Sequence, residues 1–366
     1  MKQLKHIFVL TALITFLLTG CKDACEEVTC ENGGTCVEGT CECPDGFSGT
    51  NCETNDKLHS LSPSDDDQTT VQEALITMAD GDILEFSAGT YYFTSDLSVE
   101  GKSNITIRGV DQNTVILDFS GQTTGAQGLY IDNCSQVLLH DFTIQDAAGD
   151  NIKAKDCTGI SFINISAVYN GEVSEDNGAY ALYPVTSSHV LVDNCYIRGA
   201  SDAGIYVGQS DMVIVSNNTV EENVAGIEVE NCTNSDVFGN YCTKNTGGIL
   251  VFDLQNLPVI PSGSHTRVFD NIIVDNSHLN FAPAGNIVGN VPPGTGIMLL
   301  AANQVEIFDN TITNNNTLGI GIVNYEVLAF LDPDEEITDE NYDPASYGLY
   351  IHDNVFSRGD AYPPAL

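Results

Sequence analysis

The feature that most constrains this chain is a repeat. From about residue 128 onward, short apolar strands recur with a period of about 23 residues, the spacing of solenoid architectures. One strand reads Gly-[Ile/Leu]-x-[Val/Ile]. It occurs at Gly128, Gly204, Gly226, Gly248, Gly296 and Gly319, with Asn151 and Ala181 in the glycine slot of two further coils. A second strand starts about nine residues later, at Val137, Ile160, Val190, Val213, Ser235 and Val305. Five residues into it an Asn recurs (Asn218, Asn240, Asn271, Asn310, Asn354), and five further on another does (Asn170, Asn223, Asn245, Asn276, Asn315). Asn tolerates the backbone angles of a tight corner, and its amide can donate to one coil while accepting from the next. Alternate Ile and Val point inward and stack about 4.8 Å apart, while Gly lets the chain bend tightly into the strand. The Leu scaffold of leucine-rich repeats is absent, and propeller blades need longer repeats built from hairpins. The pattern predicts an all-β fold, a right-handed single-stranded parallel β-helix of roughly ten coils.

This large domain is expected over residues 67–366. It opens with a capping box, Thr70-Val-Gln-Glu73, and with Val71, Ala74, Leu75 and Met78 on one helical face. A short helix there would cover the open end of the solenoid, where unpaired strand edges would otherwise be exposed. The polar residues 53–66, with Ser-Pro-Ser and Asp65-Asp66-Asp67, read as a linker.

The N-terminus is a targeting segment. Lys2 and Lys5 precede an apolar run from Ile7 to Leu18, too short to span a membrane as a mature helix. Residues 1–20 read as a signal peptide, and Leu18-Thr19-Gly20-Cys21 resembles the bacterial lipobox. That resemblance implies lipidation of Cys21, a short anchored start over 21–24, and a protein exported and anchored in the outer membrane or at the cell surface. Six cysteines follow with the spacing C-x4-C-x5-C-x4-C-x-C-x8-C over residues 25–52. So short an exported segment cannot build a core, and bridges must replace it; spacing alone allows fifteen connectivities. A zinc cluster is the competing reading, but no His joins these cysteines and the exported compartment is oxidising. With Gly33-Gly34 before the third Cys, and CPDGFSGTNC carrying Phe47 and Gly49, the segment resembles EGF-like modules. The resemblance implies the pairs Cys25–Cys36, Cys30–Cys41 and Cys43–Cys52 and a spacer role. Among the later cysteines, Cys134 and Cys157 share a slot in adjacent coils, within disulfide range. Cys232 has the same slot without a Cys neighbour, and Cys195 replaces a ladder Asn; buried free thiols are the default.

Formal charge is −39, from 51 acidic and 12 basic residues. That balance repels nucleic acid and anionic lipid, so membrane contact is expected through the lipid anchor only. It also disfavours a polyuronate unless a divalent cation bridges the charges. A weakly charged glycan or polysaccharide is the expected partner, and the chain is expected to be monomeric. No cofactor or metal site is evident. Calcium is the one candidate ion, and the acidic stretch DPDEEITDENYDP is where it would bind; without DxDxDG spacing, that stretch reads as a solvated loop.

Phasing the coils gives an outward column on the Gly-strand of Tyr130, Lys153, Tyr183, Tyr206, Glu228 and Leu250. The next outward column is Asp132, Lys155, Val185, Gly208, Glu230 and Phe252, followed at the turn by Asn133, Asp156, Thr186, Gln209, Asn231 and Asp253. All are expected to face solvent. Insertions at about 169–180, 254–265, 277–295 and 325–347 all adjoin this strand, and insertions on one solenoid face commonly wall a binding groove. Tyr rings pack on pyranose faces. Lys153, Tyr183, Tyr206 and Glu228 are therefore the catalytic candidates for elimination or epimerisation. Tyr130, Lys155, Gln209, Glu230 and Asp253 are the substrate-binding ones. A hydrolase would instead need two carboxylates, such as Glu228 with Asp253 or Asp202. The competing reading is an aromatic and charged ladder that only stabilises the sheet, in a non-catalytic scaffold or adhesion protein.

From Gly81 onward, the runs GAYALYPV, DAGIYVGQS, AGIEVENC, NTGGILVFDLQNLP, NFAPAG and VPPGTG resemble a bacterial family of secreted parallel β-helix proteins. The wider, pectate-lyase-like superfamily includes pectate lyases, alginate lyases and mannuronan epimerases. The DPHD-like run and the Arg-rich catalytic strand of those enzymes are not evident here.

Overall fold

A computed structural model describes residues 24–331 and 336–358. Cys21 and the signal segment lie outside the described residues, as do residues 332–335 of the acidic stretch. The chain divides into two units, 1–57 and 58–366. The first carries three disulfides, Cys25–Cys36, Cys30–Cys41 and Cys43–Cys52, the pairs the resemblance to EGF-like modules implies.

The second unit is a right-handed parallel β-helix. Three parallel sheets of 9, 10 and 11 strands run its length. The 9-stranded sheet holds the Gly-strands, the 11-stranded sheet holds the second strand of each coil, and the 10-stranded sheet holds a short third strand. Inward Ile, Val, Leu and Phe from all three form one continuous core, including Ile131, Leu139, Ile205, Val213, Ile227 and Ile297. The register matches the sequence phasing: Val137 pairs with Ile160, then Val190, Val213 and Ser235.

Two boundaries differ from expectation. The stretch expected as a linker contains strands, Thr54–Asn55 and Leu58–Leu61, and the latter pairs with Ile83–Phe86 as the first strand of the 11-stranded sheet. Helix α1 spans Asp67–Thr77 and is capped by Asp66, which accepts from the Thr69 backbone N–H at 3.2 Å. The capping box at Thr70 is therefore inside the helix. Asp is as good a cap as Thr, and the adjacent Asp67 is buried, accepting from the backbone of Ser64 and Tyr92. The expected apolar face does pack inward, through Val71, Leu75 and Met78.

The corners work differently from the sequence reading. The positive-φ residue is the one before each ladder Asn: Asn217, Asp270, Asp309 and Asp353 in one column, Glu222, Lys244, Asp275 and Asn314 in the other. The ladder Asn residues instead join the rungs. Asn218 donates to Asn240, Asn240 to Asn271, Asn271 to Asn310 and Asn310 to Asn354, each at 2.9 Å. The second ladder runs Asn223–Asn245–Asn276–Asn315 at 2.9–3.1 Å. Asn170, expected in it, is exposed and bonds Asp146. Cys195 takes the ladder position before Asn218, whose Oδ1 accepts its backbone N–H. The Gly slot is set by stacking rather than by bending: a Cβ on Gly226, Gly248 or Gly296 would lie 2.4–2.6 Å from the carbonyl oxygen of the next Gly in the column. Cys134 and Cys157 are free buried thiols, not a bridge. Each Sγ faces backbone carbonyls, Cys134 that of Asp132 and Cys157 that of Lys155.

Candidate functional site

Parallel pairing carries the outward column as expected: Tyr130 beside Lys153, Lys153 beside Tyr183, Tyr206 beside Glu228, and Glu228 beside Leu250. The exposure of that column is not uniform, which corrects the expectation that all of it faces solvent. Tyr130, Lys153 and Tyr183 are half-buried, whereas Tyr206, Glu228 and Leu250 are 6%, 2% and 0% exposed. The insertions cause the change. Segment 277–295 and the start of the last insertion, residues 325–328, lie over the later rungs, and Val288, Val291, Tyr325 and Leu328 pack with Tyr206, Leu250, Phe252 and Met298 in a second apolar cluster outside the solenoid core. The sheet is thus an open platform over its early rungs and a covered one from Tyr206 to Met298.

Four carboxylates gather where the open part ends. Asp202 accepts from Asn286 Nδ2 of the 277–295 insertion at 2.9 Å and from the Tyr180 hydroxyl at 3.4 Å. Glu230 accepts from the Tyr206 hydroxyl at 2.7 Å. Glu228 Oε2 is buried with no hydrogen-bond partner. Asp253 accepts from Ser262 Oγ, from the Gly263 backbone N–H and from Asn303 Nδ2. Burial holds all four above the ordinary carboxylate range. Asp202 is raised further by the charge of Glu230, and Glu228 by Asp202 and Glu230. Glu230 is raised by burial and by Asp253, against the lowering effect of the Tyr206 bond. Asp253 reaches about 6, burial outweighing its three hydrogen bonds. Like charges at this separation from water do not all ionise together, so the cluster retains protons near neutrality. Beside it three rings meet, Tyr183 and Tyr206 edge to face and Tyr180 tilted against both, with centroids 4.5–4.9 Å apart.

Other candidate residues have structural partners that redirect their roles. The Lys153 ammonium lies 4.4 Å from the centre of the Tyr183 ring and 4.0 Å from Asp150. It is engaged rather than poised as a free base. Lys155 pairs with Asp156 at 3.1 Å. Gln209 Oε1 accepts from the Val259 backbone N–H, and Asp253 grips the same 254–265 insertion through Ser262 and Gly263. These two residues anchor a loop and do not line the platform. Burial raises the Tyr183 hydroxyl to about 12 and also holds Tyr206 well above its ordinary value, so neither is a ready proton acceptor. Tyr180 and Asn286 were missed in the sequence. Tyr180 lies at the edge of an insertion, outside the outward columns, and nothing in the repeat places Asn286 over Asp202. Among the described residues, no group of three or more His, Cys, Asp or Glu is arranged to hold a metal ion. No helix there is long and apolar enough to cross a membrane.

Comparison with curated protein sequences gives no match. Among solved structures the chain is similar to the Agl-KA catalytic domain, at 15% identity and a TM-score of 0.52, over 82% of this chain and 67% of that one. It is also similar to the A-module of the Azotobacter vinelandii mannuronan C-5 epimerase AlgE4, at 13% identity and a TM-score of 0.38, over 76% and 87%. A third is DFA-IIIase from Arthrobacter chlorophenolicus A6, at 11% identity and a TM-score of 0.45, over 80% of each chain. At these identities the likeness is one of fold. Residues 127–282 match the family model described as a right handed beta helix region, which agrees with the right-handed parallel β-helix formed by the coils.

Proposed function

We propose that the protein binds a neutral glycan on the Tyr130–Lys153–Tyr183 platform and cleaves a glycosidic bond by acid–base catalysis at Asp202 and Glu230. The observation that carries this reading is the gathering of buried carboxylates beside three tyrosine rings at the end of the open platform. A protonated carboxyl delivers its proton to the leaving glycosidic oxygen, while an ionised partner takes the proton of the attacking water, as glycoside hydrolysis by a carboxyl pair requires. Tyr206 orients Glu230, and Tyr180 with Asn286 orients Asp202. Tyr183 offers a ring for a sugar to pack against. Elimination or epimerisation of a uronate fits less well. The two platform lysines are already paired with Asp150 and Asp156, leaving no cation there to neutralise a uronate carboxylate. The burial of Glu228 favours one second reading, a glycan-binding surface protein without turnover.

Export and anchoring through Cys21 belong to the same proposal, as does the EGF-like identity of the disulfide unit. Three disulfides suit an oxidising compartment.

The test is release of new reducing ends from a panel of neutral polysaccharides (amylose, laminarin, xylan, mannan, cellulose and chitin) by the wild type, Asp202→Asn and Glu230→Gln. The expected result is release by the wild type that falls about 10²–10⁴-fold in each variant, the ordinary worth of a general acid or base. Equal release by all three proteins contradicts the assignment. Binding without release supports the second reading.

A further inference from the structure

We infer that the site reads the end of a glycan chain rather than its middle; this rests on the glycan reading above. Approached from its early rungs, the platform is open as far as Tyr183 and then meets a wall. Ser98, on the rung before Tyr130, is exposed, and Tyr130, Lys153 and Tyr183 are half-buried. One rung beyond Tyr183 the same column is covered, and it stays covered through Tyr206, Glu228, Leu250 and Met298. What covers it is built into the fold. Val288 and Val291 of the 277–295 insertion are buried in the second apolar cluster. Asn280 fastens that insertion to itself, donating to the carbonyls of Val288 and Val291 at 2.9 Å each. Asn286 then ties it to Asp202 at 2.9 Å. Two further insertions stand at opposite ends of the strands, 169–180 before Tyr180–Val185 and 254–265 after Gly247–Phe252. Along the solenoid axis the column is open from Ser98 to Tyr183 and stops at the insertion wall.

A chain laid on that line meets Tyr130, then Lys153, then Tyr183, and its last sugar stops over the tyrosine rings, with Asp202 and Glu230, each 8% exposed, at the foot of the wall beneath them. A chain entering by its middle would have to continue through the packed positions of Tyr206 and Leu250. The wall thus selects termini, and the bond exposed to the carboxylates is the one next to the terminal residue.

The primary measurement uses the whole wild-type protein. Saturation binding of the whole protein is measured on each polysaccharide of the same panel, intact and after mild acid fragmentation, at equal mass. Asp202→Asn is used wherever the wild type degrades the polymer. The inference expects the amount bound per unit mass to rise in proportion to the number of chain ends. An unchanged capacity after fragmentation overturns end recognition and leaves glycan binding standing. No binding to any intact or fragmented polymer overturns the glycan reading, and this inference with it. As a second arm, Tyr183→Ala is expected to remove the binding to fragments; retention of that binding places the ends elsewhere and also overturns the inference.

Discussion

Glu228 shows how one residue can be placed by sequence and still be misjudged by it. The repeat puts it in the outward column, beside Tyr206 and Leu250, yet it is buried with Oε2 unpartnered. A period fixes the direction of a side chain relative to the solenoid core. It cannot fix what an insertion lays on top, because an insertion by definition breaks the period. The same limit hid Asn286, and it made Gln209 and Asp253 look like platform residues when they hold the 254–265 insertion. The ladder Asn residues were legible because their chemistry is repeated once per rung. Replacing Asn240 by Ala removes the acceptor of Asn218 Nδ2 and the donor to Val215 and Asn271. The expected cost is about 1–3 kcal/mol for buried groups left unsatisfied, read as a lower midpoint in denaturant unfolding. An unchanged midpoint would show that water substitutes for the amide.

At the scale of elements, strands were easier to read than their ends. Alternation of apolar residues identified the core faces, while helix α1 was entered too late because two adjacent capping signals compete in Asp66-Asp67-x-Thr69-Thr70. The structure uses the first. Asp66→Ala is expected to destabilise the large unit by about 1 kcal/mol, whereas Thr70→Ala, which removes no cap, is expected to change little; the reverse order in thermal unfolding would restore the Thr70 cap. The insertion over the late rungs is held mainly by apolar packing. Leu250→Ala should therefore cost about 2–5 kcal/mol, as for other buried leucines, and raise proteolytic cutting within 277–295. Destabilisation without new cutting would mean that the insertion is held by Asn280 and Asn286 alone.

For the whole molecule, the acid cluster sets how stability responds to pH. Asp202, Glu228, Glu230 and Asp253 all have folded-state values above the unfolded carboxylate value of about 4. Their contribution is complete below that value and is lost as pH rises through the folded-state values. Asp141, Asp156, Asp211 and Glu221 are lowered and act in the opposite sense below about pH 4, but they are more exposed and more screened. The melting temperature in 1 M salt, where surface repulsion is screened beyond about 3 Å, is therefore expected to fall from pH 5 to pH 8. The combined Asp202→Asn, Glu228→Gln and Glu230→Gln variant should flatten that fall, and an equal fall in both proteins would assign it to surface charge instead. The functional reading turns on one property of this cluster, that it still holds a proton under neutral conditions. Infrared titration of the protonated-carboxyl carbonyl band measures it directly. A band that persists at pH 7 in the wild type and is lost in the triple variant is the expected result; a wild-type spectrum without protonated carboxyl at pH 7 would contradict acid–base catalysis at Asp202 and Glu230.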